Sequence, residues 1–184
     1  MQLAGKILIA MPGMADPRFS RSVVLICAHS DDGAMGLVLN KPIRELNFHS
    51  FLEQIGIKPT PAEREIRIHF GGPVEQGRGF VLHSTDWTSG EATMIIPGGF
   101  SLTGTIDILE ELAGGRGPES ALVALGYAGW GEGQLESEIR RNDWLIADVT
   151  RDLAFRAEDD QKWAEALKVL GIDPIMLSGK AGHA

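Results

Sequence analysis

Asn40-Lys41, Gly71-Gly72, His83 and the run from Tyr127 to Glu136 hold the residue types from which a ligand site can be built. The densest stretch is Leu125-Gly126-Tyr127-Ala128-Gly129-Trp130-Gly131-Glu132-Gly133-Gln134-Leu135-Glu136, with four glycines, two large aromatics and two carboxylates. Glycine lets the backbone take positive φ or approach another group closely. Aromatic rings anchor packing or line a pocket. In a small-molecule or nucleotide-binding enzyme, the glycine-rich turns at 71–72 and 129–133 would present amides to the ligand. Tyr127 and Trp130 would stack on it, Asn40, Lys41 and His83 would add polar contacts, and Glu136 would be the general base in that turn. Two features weigh against this. Gly129-x-Gly131-x-Gly133 does not have the dinucleotide spacing, and Glu132 and Glu136 put negative charge where a phosphate would sit. A tight strand-to-helix turn accounts for these glycines more simply.

Other chemistry is sparse. His29, His49, His69 and His83 lie far apart, none with the short spacing of a zinc site, and Cys27 is the one cysteine. No metal and no cofactor are therefore expected. Cys27 sits in an apolar run and reads as an inert core thiol. Ser101 lacks the nucleophile elbow and reads as the cap of a following helix. Gly179-Lys180 has no helix after it, so it is not a P-loop. Asp16, Arg18, Asn40 and Lys41 stand at strand ends beside prolines, where polar residues cap turns. Glu136 and Arg140 form a favourable i, i+4 pair on a solvated helix face.

These residues must be placed by the elements around them. Lys6–Ala10 reads as a short strand, and Ser22–His29 as a strand buried on both faces. Ser30-Asp31-Asp32-Gly33-Ala34 has hairpin chemistry, leading to a partner strand from Met35 to Asn40. Ser50 and Glu53 form a capping box for a short helix that Gly56 ends. Glu65–Phe70 alternates as a half-buried strand, and Gly79–His83 and Ala92–Ile96 are two more. Leu102, Ile106, Leu109 and Leu112 follow helical spacing. Ala121–Gly126 is a strand feeding the glycine-rich stretch, Gln134–Asn142 a helix and Trp144–Ala147 the last strand. Asp159 or Asp160 caps a final helix striped by Trp163, Leu167 and Leu170. Strands pair early by hairpins and helices are scattered among them, which predicts a mixed α+β domain, spanning 1–184, with a largely antiparallel sheet.

The 184 residues are 43% hydrophobic and 23% charged, with a net charge of −8. That composition is globular, and the charge disfavours direct nucleic-acid binding. No run reaches the length of a membrane helix, and the first twelve residues are too interrupted for the apolar core of a signal peptide. A lone cysteine fits a reducing cytoplasm.

Four blocks carry a family resemblance: Gly5–Pro12 continuing to Asp16-Pro17-Arg18-Phe19; Gly33–Pro42; Phe70-Gly71-Gly72-Pro73-Val74 with Gly79–His83; and Leu125–Trp130 with Gly133-Gln134-Leu135-Glu136. With the closing Leu170–Pro174 and Gly182-His183-Ala184, they resemble the AlgH/YqgE family of bacterial proteins over nearly the whole chain. Ala28 departs from the glutamate common there, and Ile106 from the usual polar or basic residue. The resemblance implies one mixed domain, flanked by helices, with a branched sheet around a small barrel-like core. It implies no catalytic set. Some members carry a transcriptional-regulator label without an established DNA-binding mechanism. The expectation is a non-enzymatic binding or regulatory protein, with a protein or small-molecule partner. The alternative is the enzyme outlined above.

Overall fold

A computed structural model describes residues 1–177; Gly179-Lys180 and Gly182-His183-Ala184 lie outside the described residues. The strands are β1 (Ile7–Ala10), β2 (Val23–Ser30), β3 (Gly33–Val38), β4 (Ile68–Phe70), β5 (Val74–His83), β6 (Thr93–Ile96), β7 (Phe100–Thr103), β8 (Ala121–Trp130) and β9 (Trp144–Ala147). The α-helices are α1 (Phe48–Gln54), α2 (Ile106–Ala113), α3 (Gln134–Arg140) and α4 (Lys162–Val169). The strand order is β6-β7-β5-β8-β3-β2-β1-β9, and β4 joins β8 off that path. Only the β4–β8 pair is parallel among the described strands. This is the expected α+β domain with a largely antiparallel, branched sheet.

The sheet curls into a half-barrel because residues from its two ends share one apolar cluster. Ile96 of β6 and Phe100 of β7 meet Ile7, Ile9 and Ala147 of β1 and β9, and Trp163, Ala166 and Leu167 of α4 close the same cluster. Period-2 alternation sends the other face of each strand outward. In β2, Val23, Leu25 and Cys27 point into the curl, while Val24 and Ile26 join an outer cluster with Trp130, Leu135 and Trp144. A third cluster packs α1 and α2 over Val81 of β5 and Val123 of β8. β2 is thus buried on both faces from Val23 to Cys27, as its β-branched run predicts, while Ala28 and Ser30 at its end are exposed.

β8 is the branch point, and it inverts its phase midway. Leu122 and Ala124 face the inner cluster, yet Ala128 and Trp130 face an outer one. Between them, Gly126 sits at φ +76°, a left-handed bulge that swaps the two faces. On one edge β8 pairs with β5, and on the other its first half takes β4 and its second half β3. Gly72, just past β4, crosses β8 so closely that a Cβ there would lie 2.0 Å from the Tyr127 carbonyl carbon.

Several local expectations are corrected. The strand does not end at Gly126: the signature from Gly126 to Trp130 is β-structure, and only residues 131–133 turn into α3. Ser101 and Leu102 lie in β7, because Gly98 and Gly99, both at positive φ, close a β6–β7 hairpin. The α2 cap is Thr105. The α1 cap is Asn47, whose Oδ1 accepts from the Ser50 amide at 2.8 Å, so the helix starts before the proposed capping box. Glu53 turns instead to His49, 3.4 Å away. Only Ile68–Phe70 of the alternating run is strand, and β5 starts at Val74, five residues earlier than its apolar pattern suggests. Neither Asp159 nor Asp160 caps α4, which starts after Gln161, and a π-helical turn at Asp152–Arg156 precedes it.

Gly72→Ala is expected to destabilise the fold by about 2 kcal/mol or more, since the new methyl meets backbone and cannot be absorbed by a rotamer change. Gly131→Ala, whose Cβ meets nothing closer than Gln134 Oε1 at 3.9 Å, should stay within about 0.5 kcal/mol of the parent. Urea denaturation of both variants checks the contrast.

Candidate functional site

Helix α4 is docked by buried side chains. Trp163 Nε1 donates to the Ala10 carbonyl at 2.8 Å, at the end of β1. Lys162, fully buried, donates to the carbonyls of Leu39 and Ala154 at 2.8 and 2.9 Å and to Asp159 Oδ1 at 2.9 Å. Asp159 also accepts from His69 Nε2 at 2.9 Å and lies 3.6 Å from Arg67. Burial pushes the Asp159 carboxyl up, but the hydrogen bond and charge from His69 and the Lys162 ammonium outweigh it, and the group settles at about 2. Burial lowers the Lys162 ammonium, against the opposing pull of Asp159.

Opposite α4, the chain leaves β3 through Asn40 and Lys41. Asn40 is a double clamp: Oδ1 accepts from the Val23 amide at 3.0 Å, and Nδ2 donates to the Arg21 carbonyl at 2.8 Å. Lys41 Nζ donates to the Ser20 carbonyl. Together they hold Arg21 at φ +52°, a left-handed conformation that a non-glycine residue adopts only under external restraint. The Arg21 guanidinium lies 5.1 Å above the Trp163 ring. Between these walls is a cavity of about 730 Å³, lined by Arg21, Asn40, Lys41, Arg44, Asp159 and Trp163, with Asp160 at its edge. That volume falls in the range of small-molecule sites.

The other residues singled out from sequence do not join it. Gly71 and Gly72 pack on the backbone of β8, where Gly126 Oxygen and Tyr127 would meet their Cβ atoms, so no ligand-sized gap is left above them. His83 is fully buried, with Nδ1 bonded to the Ser84 carbonyl at 2.7 Å and Nε2 to Thr103 Oγ1 at 2.8 Å. Burial lowers its imidazole below the ordinary value. Tyr127 packs edge-on against Phe80. Trp130 donates to Glu138 Oε1 at 3.1 Å, and Trp144 donates to the same oxygen at 3.0 Å. Gly129 and Trp130 edge a separate groove of about 470 Å³. The Gly131 amide donates to Gln134 Oε1 at 3.0 Å, closing the turn. Glu136 pairs with His29 at 3.3 Å, not with Arg140. Cys27 is buried, and burial pushes its thiol to about 12. Among the described residues, no group of three or more His, Cys, Asp or Glu side chains is arranged to hold a metal, and no helix is long and apolar enough to cross a membrane.

Sequence reasoning found Asn40 and Lys41 but missed Arg21, Arg44, Asp159 and Trp163. Arg21 carried a weak signal: it sits between a turn and a buried strand with no local partner. Asp159 and Trp163 reach the cavity through tertiary packing of α4, more than a hundred residues away, and nothing local announces that.

The half-barrel and its branch at β8 define an α+β fold class. Residues 7–175 match a family model described as AlgH-like. UPF0301 proteins of Cereibacter sphaeroides and Rhodospirillum rubrum are 60% and 48% identical, with 100% of this chain and 100% of the relative covered in the first case, and 99% and 94% in the second. The solution structure of the AlgH protein from Pseudomonas aeruginosa is similar at a TM-score of 0.81 and 39% identity, over 100% of this chain and 97% of that one. A crystal structure of protein DIP2367 from Corynebacterium diphtheriae shares the fold at a TM-score of 0.71 and 20% identity, over 91% and 87%. The chain belongs to the AlgH-like family.

Two outcomes test these assignments, one for the structural role of Trp130 and one for the network that docks α4. Trp130→Ala should cost roughly 3 to 5 kcal/mol by chemical denaturation, the range for an emptied buried indole, because its packing and one of the Glu138 hydrogen bonds are lost together. The depressed Asp159 carboxyl stabilises the fold above its ordinary value of 3.8 and loses that contribution as pH falls toward about 2. Stability measured against pH should therefore drop between about pH 4 and pH 2. Asp159→Asn should flatten that limb and destabilise the protein at neutral pH, since Lys162 is then buried without its counter-ion.

Proposed function

We propose that this is a non-enzymatic binding or regulatory protein of the cytoplasm, and that it holds a small molecule in the cavity between Asn40-Lys41 and α4. The observation that carries the reading is the way the cavity is built. Asn40 spends both ends of its amide on the backbone, which holds a strained Arg21 in place. Asp159 is fixed as a carboxylate by three cationic or hydrogen-bonding neighbours. Polar groups so committed shape and charge a pocket: the Asn40 amide has no proton to exchange, and Asp159 is held as a carboxylate, its pKa lowered to about 2, which does not suit it to act as a general base near neutral pH. Any regulatory effect then passes through a ligand or protein partner. The net charge of −8 opposes direct DNA binding as its route.

A broad metabolite panel, read by thermal shift and by amide chemical shifts, tests this. A true ligand at a hundred times its Kd should raise stability by about 2.7 kcal/mol. It should move the resonances of Lys41, Arg44 and Trp163, and be recovered chemically unchanged. Conversion of the ligand to a product would refute the non-enzymatic reading. A shift of duplex DNA at physiological salt would refute the indirect route.

A further inference from the structure

Resting on that cavity as the ligand site, we infer that its ligand is a phosphorylated small molecule, bound through a phosphate ester or diphosphate by Arg21, Lys41 and Arg44. Three observations lead there. The first is the gathering of positive charge. Arg21, Lys41 and Arg44 line one cavity, and among the described residues none of them is ion-paired, unlike Arg18, Arg67, Arg78, Arg116, Arg141 and Arg156. Arg64, Arg140 and Arg151 are also without an ion pair among the described residues, but they do not line this cavity, so it is the gathering that sets the three apart. In a chain of net charge −8, three cations facing one concave space without carboxylate partners leave a local field that a multiply charged anion would neutralise.

The second is pre-organisation. The Arg21 guanidinium is fixed from below by the Trp163 ring, and its backbone is held by Asn40 and flanked by the Lys41 bond to Ser20. A planar fork held in one place is the geometry that meets phosphate oxygens with two parallel hydrogen bonds. Keeping Arg21 at positive φ costs conformational energy, and apart from covering the Trp163 ring its side chain is exposed rather than packed in the core.

The third is the placement of the acids. Asp159 is neutralised by Lys162 and Arg67. That leaves Asp160 as the one uncommitted carboxylate on the wall, at the α4 end. The anion is therefore steered toward Arg21, Lys41 and Arg44 and away from Asp160, with apolar Pro174 and Ile175 also in the lining for the remainder of the ligand. Because Arg21 already covers the Trp163 ring, a stacked nucleobase is not part of the recognition. A sugar phosphate or similar ester satisfies the wall as well as a nucleotide does.

Inorganic pyrophosphate, inorganic phosphate and ribose 5-phosphate, with ribose as the neutral control, are the probes. Each is titrated into the full chain and followed by amide and arginine side-chain chemical shifts at 50 and 200 mM salt. Pyrophosphate and the sugar phosphate should move Arg21, Lys41 and Arg44 and bind several-fold more weakly at the higher salt, while ribose should move none of them. Arg44→Gln, at an exposed position, should weaken binding by about tenfold, the loss expected for one charge-assisted hydrogen bond. Arg21→Asn should abolish most of the binding yet leave the protein folded, because asparagine tolerates the left-handed conformation. Unchanged affinity in both variants, or no cavity shifts with any phosphorylated probe at millimolar concentration, overturns the inference. If neutral or cationic metabolites of the wider panel still move the cavity residues, the ligand-binding reading stands and only the phosphate assignment fails. If no compound of any charge moves them, both fail. Tighter binding of single-stranded or duplex DNA through the same residues would replace the small molecule with a polymer and overturn the inference as well.

Discussion

The contact between the backbone after β4 and the backbone of β8 constrains most of the fold. Gly72 approaches the Tyr127 carbonyl within the space of a single methyl, and a Cβ on Gly126 would lie 2.4 Å from the Gly72 oxygen. Main chain rests on main chain there, so neither side has room for a side chain. From that crossing, β8 reverses its inward and outward faces. Its first half serves the inner cluster with Leu122 and Ala124, and its second half turns Ala128 and Trp130 outward to meet α3 and Trp144. A strand that kept one phase throughout would put Trp130 into the curl and leave the outer cluster without its largest side chain.

The second constraint is the docking of α4, which links the fold to the cavity. A lysine as buried as Lys162 is costly unless every proton finds an acceptor. Its three partners, two carbonyls and Asp159, supply that. Trp163, next along the helix, adds its bond to Ala10. These bonds fix α4 against the ends of β1 and β3, and so fix the distance across the cavity. The buried Asp159–Lys162–His69 network is thus structural in its first effect. Its second effect is to remove one negative charge from a wall that would otherwise carry two.

Local pattern was readable where one element's residues decide its own state. β2 announced itself by a β-branched run, the β2–β3 hairpin by Ser30-Asp31-Asp32-Gly33, and α3 by Leu135 and Ile139. Ser101 and Leu102 misled because their spacing to Ile106 and Leu109 suits a helix, while the Gly98-Gly99 turn that makes them a strand reads equally well as a breaker. The signature stretch misled for a deeper reason. Glycines that bend a strand and glycines that end one are the same letters. What distinguishes them is the backbone lying across β8, contributed by Gly71 and Gly72 from far earlier in the chain. The family resemblance supplied the branched, barrel-like sheet that no periodicity could. For the site, Asn40 and Lys41 were legible as polar residues at a strand end, but their partners across the cavity were set by long-range packing.

The separation between the β8 stretch and the cavity bears on how this protein selects a ligand. Sequence blocks dense in glycine and tryptophan mark the β8 crossing, where mutation is answered by loss of the fold. The cavity draws on Asn40 and Lys41, at the end of another family block, and on scattered, individually ordinary residues, with Arg21 set against the Trp163 ring and Lys41 bonded to the Ser20 carbonyl. A cationic pocket in an acidic protein is selective by size as well as by charge. The surrounding field repels an extended polyanion, whose phosphates must lie along the surface, whereas a compact dianion feels chiefly the walls it enters. Screening by salt shortens the reach of the repulsion more than that of contacts inside a partly dry pocket. The same charge balance that argues against nucleic acid at the surface is therefore compatible with a small phosphorylated ligand within.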